Sequence, residues 1–248
     1  MRRFLILLSL FFLTSCGRVN PDIKGELSEN IERIVITNTR YAGRYTIIDK
    51  KAILRFKNKI IRANKASINS NLDPDFVFDF YSGNKRVASF KYIAKINDKE
   101  VANLIDEKGN LYNVSTTIED EFIKRLLKVS KNENVPEYYV SAINLIIEKI
   151  GAKDSVIAVD LKKEVMTLRY LTSVDIKEIF EGINKNGVKV VLKDSTKNYD
   201  YLMILDTKKY SGNRVEAEIT VVDNKGTKAL YKLEGNYKDK WEFFISFK

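Results

Sequence analysis

The sequence predicts an α+β protein of two small domains, each an antiparallel sheet with helices packed on one face. Three observations carry this. Period-two alternation of apolar residues clusters at residues 76–93 and again after residue 188, the pattern of strands with one covered face. Apolar stripes at helical spacing run over about 50–63, 137–150 and 172–184, each bounded by a capping residue. Between the halves, Ser130–Pro136 (SKNENVP) is polar, ends in proline and has no period, so it reads as the boundary. The expected divisions are a leader over 1–15, a tether over 16–29, and domains over 30–130 and 137–248.

The leader comes first. Arg2 and Arg3 precede an apolar run from Phe4 to Leu13, broken only by Ser9. Ten helical residues cover about 15 Å, half of a bilayer's hydrocarbon thickness, so this is a signal-peptide core and not a span. Leu13-Thr14-Ser15-Cys16 follows: a branched apolar residue, two small residues and cysteine. These four resemble the lipobox of bacterial lipoproteins, here of the small extracytoplasmic kind found in low-GC Gram-positive bacteria. The resemblance covers residues 1–16. It implies cleavage between Ser15 and Cys16, a diacylglycerol on the Cys16 thiol, and residence on the outer face of the cell membrane. Cys16 is the only cysteine in the chain. An unacylated thiol there would be an unpaired reactive group in an oxidising compartment. Two acyl chains suffice for stable anchoring.

Beyond the tether, Ile31–Asn38 alternates as a strand, and Tyr45–Ile48 is a second, short one. Asp49 is placed to cap a helix over about 50–63, with Ile53, Phe56 and Ile60 on one stripe. Phe76, Phe78 and Phe80 alternate into Ser82-Gly83-Asn84-Lys85, a hairpin signal, and Val87–Ile93 returns. Strands over Val101–Ile105 and Leu111–Val114 follow. Thr117, three residues ahead of Asp120, starts a helix reaching about Lys128, with Glu121 and Arg125 one turn apart.

The second domain opens with a helix over about 137–150, whose expected buried stripe is Val140, Ile143, Ile147 and Ile150. Val156–Asp160 reads as a strand, and 162–171 is open between helix and strand. Thr172-Ser173-Val174-Asp175 is a second capped helix start. Strands over Val188–Lys193, Tyr201–Asp206, Val215–Val221, Ala229–Leu233 and Trp241–Phe247 complete the chain. Helices followed by an antiparallel meander ending in an aromatic strand resemble NTF2-like or cystatin-like domains. That resemblance covers about 137–248, rests on element order, and implies no activity, because such folds host enzymes, binders and assembly modules alike.

Composition narrows the chemistry. There is no histidine, which removes the usual general base, the usual metal ligand and every triad that moves its proton through imidazole. With Cys16 acylated, thiol catalysis and thiolate metal sites are also gone. No phosphate-cradling glycine loop and no EF-type loop is present, so no catalytic, cofactor-binding or metal residue is assigned and no cofactor is expected. The open enzyme class is carboxylate chemistry on wall glycan, for which Asp73, Asp75, Asp79, Glu119 and Asp120 are the candidates. Turns, a helix start and a solvent-facing strand position account for all five more simply.

Among aromatics, Phe76, Phe78, Phe80, Trp241, Phe243 and Phe247 read as core. Tyr41, Tyr45, Tyr138 and Tyr139 suit either a binding surface or, as expected, core and boundary packing. The net charge of +10 falls to +8 once residues 1–15 and their two arginines are removed. It reads as spread along the chain rather than gathered in one run, which fits a solvated surface. Outside the membrane its natural counterparts are headgroups and wall polymers, not nucleic acid. The expected function is a lipid-anchored, non-catalytic binding or assembly module of the cell envelope. Its partners would be the membrane through Cys16, and an envelope protein or anionic wall polymer. A carboxylate-dependent wall glycan hydrolase or a small-ligand binding lipoprotein are the alternatives.

Overall fold

A computed structural model describes residues 19–127, 134–183 and 185–247. The leader, Ser15 and Cys16 lie outside the described residues. The α+β class holds, with two sheets of seven and six strands and helices packed against them. Among the described residues no helix is long and apolar enough to cross a membrane.

Helical structure occurs further upstream than expected. Within the stretch read as a tether, Pro21–Glu26 forms helix α1, capped by the Asn20 side chain, which accepts from the N–H groups of Asp22 and Ile23. Ile23 and Leu27, one turn apart, are fully buried in the first core. Asn20 is tied down further, its N–H donating to the Ile61 carbonyl at 2.7 Å. The tether reading fails because a six-residue helix offers only two apolar anchors, too few to show a period.

The first sheet joins β1 (Arg33–Asn38), β2 (Arg44–Ile47), β3 (Asn64–Lys65), β4 (Phe76–Ser82), β5 (Lys85–Tyr92), β6 (Leu104–Asp106) and β7 (Leu111–Asn113). Their order is β2-β1-β4-β5-β6-β7-β3, and every ladder is antiparallel. Helix α2 (Lys50–Ile60) lies on it. Its N-cap is Asp49, whose carboxylate accepts from the Ala52 N–H at 2.8 Å, as the sequence suggests. Phe56 makes edge contacts with Phe78 at 5.1 Å and Phe122 at 4.9 Å, so one side chain bridges helix, sheet and the next helix.

That next helix differs from expectation. It starts at Thr117 as expected, but Glu119–Ile123 is π-helical, runs into α3 (Lys124–Leu127), and has no side-chain cap. The Thr117 hydroxyl is taken by the Lys59 ammonium at 2.8 Å instead. Glu121 pairs with Arg55 and Lys59 of α2; the Arg125 side chain lies outside the described residues.

Helix α4 (Asn134–Ile150) starts inside the stretch read as a boundary. Pro136 falls in its first turn, where its missing N–H donor costs no intrahelical hydrogen bond. The buried face is rotated from the expected stripe, with Tyr138, Tyr139, Ile146 and Ile147 inward and Val140 and Ile150 at its edge. The second sheet comprises β8 (Val156–Asp160), β9 (Lys189–Leu192), β10 (Tyr201–Tyr210), β11 (Arg214–Asp223), β12 (Lys228–Tyr237) and β13 (Trp241–Phe247), in the order β13-β12-β11-β10-β8-β9.

This sheet is mixed rather than antiparallel, because β8 pairs in parallel with both β9 and β10. The ambiguous 162–171 resolves into helix α5 (Val165–Leu168), and with α6 (Ser173–Glu181) it fills the crossover from β8 to β9 that a parallel pair demands. Gly235 sits inside β12. A Cβ there would come within 2.7 Å of both Phe243 and Val215, so only glycine leaves room for the Phe243 ring.

Candidate functional site

The two sheets meet at a polar joint built around Asp75. The residue ends the loop into β4 and is 1% exposed. Its carboxylate accepts from the Ala94 N–H at 2.8 Å and from the Ser173 N–H, the first residue of α6, at 2.9 Å, and it pairs with the Arg40 guanidinium. Arg40 also donates to the Ser173 hydroxyl, which in turn donates to the Asp73 carbonyl. A helix start from the second core thus delivers its N–H group to a carboxylate beside the first, an arrangement the helix dipole favours. Burial pushes the Asp75 carboxyl above its ordinary value, against the lowering pull of Arg40 and the two N–H donors. Beside it, Lys95 reaches across to both oxygens of Asp175 at 2.7 and 2.9 Å.

Of the five candidate acids, Asp73 and Asp75 serve this joint. Asp79 faces Arg86 at 3.4 Å. Glu119 and Asp120 open onto a cleft of about 350 Å³, together with Asp175 and Glu178. Glu119 already accepts from the Tyr92 hydroxyl at 2.7 Å and the Lys95 N–H at 2.8 Å, and Asp175 is held by Lys95 and the α6 cap. Asp75 is walled in by Arg40 and Ser173 and cannot meet a substrate. Among the described residues no group of three acidic, histidine or cysteine side chains is arranged to hold a metal ion.

The aromatics divide. Phe76, Phe78, Phe80 and Trp241 are buried, and so are Tyr138 and Tyr139; Tyr45 is exposed and Phe247 emerges at the sheet edge. Tyr41 is half-buried and donates to the Leu126 carbonyl. Burial raises the Tyr138 and Tyr139 phenols well above their usual value, Glu164 adding to the effect. Glu164 itself escaped the sequence reading. It is buried, and accepts from the Tyr139 hydroxyl at 2.9 Å and from the Thr207 N–H and hydroxyl at 2.7 and 2.8 Å. Such a carboxylate saturated by donors holds α5 to β10 and is closed to solvent.

One further surface was overlooked. Residues 50–72 carry seven lysines and arginines and no acid, which corrects the reading of charge as evenly spread. A running count of charge along the sequence reveals it. Arg55, Lys59 and Lys65 are ion-paired, whereas Lys50, Lys51, Lys57 and Arg62 have no acidic partner among the described residues. At the α2 start, Ile48 and Leu54 are 72% and 58% exposed and line an open groove of about 580 Å³ with Lys50 and Lys57.

Residues 27–133, the stretch that contains the first sheet, match the family model described as YhfM protein. No curated protein and no solved structure matches the chain. The family's description names no activity, so the function has to be argued from the residues.

Proposed function

We propose that the chain is a lipid-tethered, non-catalytic binding or assembly module on the outer face of the cell membrane, held by acyl chains on Cys16. The observation that carries this reading is Leu13-Thr14-Ser15-Cys16 behind a basic, apolar leader, four residues ahead of Asn20 where the fold is capped. Its non-catalytic character is supported by the occupation of Asp75, Asp79, Glu119 and Asp175 with fixed donors. Envelope proteins or anionic wall polymers are the partners this placement offers, with the anchor raising effective concentration near the membrane.

The test is mass spectrometry of the protein recovered from bacterial membranes. The expected outcome is a mature N-terminus at Cys16 carrying a diacylglycerol, with the Cys16→Ala chain left unprocessed. Release of an unmodified chain into the medium overturns the anchor. The hydrolase reading is favoured by one observation, the four acids on the 350 Å³ cleft. Shortened glycan strands after incubation with purified wall would bring it forward.

A further inference from the structure

We propose that the exposed flank of α2 is a membrane-contact surface for anionic phospholipid headgroups, laying the first domain against the bilayer that holds the anchor. Lys50, Leu54, Lys57 and Ile61 follow one another at helical spacing, so they form a single stripe beside the buried Ile53, Phe56 and Ile60. Of the seven cations in residues 50–72, Lys50 and Lys57, with Lys51 and Arg62 alongside, are the four without an acidic partner among the described residues. Within the same stripe Leu54 is exposed, and Ile48 stands beside it on the loop before the helix. Cations around exposed aliphatic side chains are what an interfacial helix presents, the lysines to headgroups and the aliphatics to the acyl boundary. A soluble polyanion would call for the charges alone.

The position of the chain start selects the same occupant. The Ile61 carbonyl, at the end of this stripe, accepts from the Asn20 N–H. Cys16 is four residues upstream, at most about 14 Å away in extended chain. The helix itself is eleven residues, about 16 Å. An acyl group on Cys16 therefore brings the Ile61 end of the stripe close to the headgroups, where Val19, also exposed, would arrive first. Glu32 is the one acid lining the groove, and Asp49 is turned into the helix cap. The distance argument rests on the anchor reading above; the composition of the face does not.

The test uses the full, membrane-processed protein carrying Leu54→Cys, labelled at the introduced thiol with an environment-sensitive dye while Cys16 is blocked by its lipid. Reconstituted into vesicles of phosphatidylcholine with phosphatidylglycerol, the dye is expected to shift to the blue and be quenched by nitroxide-bearing lipid. In phosphatidylcholine alone, or in molar salt, both effects should vanish, since headgroup attraction is screened within a Debye length. In a second arm, unacylated chain carrying Cys16→Ser and Lys50→Glu, Lys51→Glu and Lys57→Glu should partition to anionic vesicles about a hundredfold less than its Cys16→Ser parent. Identical dye emission on both vesicle types overturns the proposal. So does a shift produced by soluble poly(glycerol phosphate) but not by vesicles, which would make the face a wall-polymer site. Acylation is read separately from the mass of the N-terminal peptide. A bare Cys16 with intact vesicle binding sinks the anchor and leaves the face standing.

Discussion

Asp160 closes β8 and shows how a single group contributes to stability in acid. Burial works to raise its carboxyl, but the Lys193 ammonium at 2.9 Å and the Lys162 N–H outweigh that and hold it below the ordinary carboxylate value. Between the ordinary value and the lowered one, the unfolded chain binds the proton and the folded chain does not. Stability from this group is therefore complete above the ordinary carboxylate range and is lost as pH falls through the lowered value. Urea unfolding followed across that acid window should show stability rising with pH, with a smaller slope in Asp160→Asn. Equal slopes in the two proteins would remove Asp160 from the account. Lys193 belongs to the turn after β9, so this pair also pins the crossover strand to its parallel neighbour.

Elements whose signals are local were legible in the sequence, and those that depend on distant partners were not. Helix α6 was legible because Thr172 and Asp175 exchange hydrogen bonds as a complete capping box. Thr172→Ala removes a nearly buried cap and should cost about 1–2 kcal/mol, measured by urea denaturation; an unchanged midpoint would mean the joint alone holds the helix start. Helix α2 and the β4–β5 hairpin were legible for the same reason, through Asp49 and through Gly83, which adopts a left-handed backbone at the turn. The parallel pairing of β8 was not, because alternation says which face is covered and nothing about which strand lies alongside. Asp75 reads as a turn residue by composition. Its partner Ser173 stands 98 positions further on, beyond any spacing rule. The basic flank of α2 was in plain view, but averaging charge over the whole chain diluted it.

At the scale of the molecule, the joint decides whether the halves behave as one body. Each has its own core: the first cluster ends at Ile123 with Leu126 beside it, and the second begins at Val135. Asp75→Ala leaves the largely buried Arg40 guanidinium without its counter-charge and should cost about 3 kcal/mol. Calorimetry should then resolve two unfolding transitions where the parent shows one. A variant that still melts in a single step at the parent's temperature would show that the cores are coupled elsewhere. A chain exported behind its leader emerges from the membrane N-terminus first, so the first core has all its residues before Val135 arrives. Arg40, Asp75 and the Ala94 N–H can be in place by then, whereas α6 does not yet exist. The joint thus imposes a sequence in time: the older half stands as a finished template, and the younger half completes its helix start by docking onto a carboxylate already waiting for it.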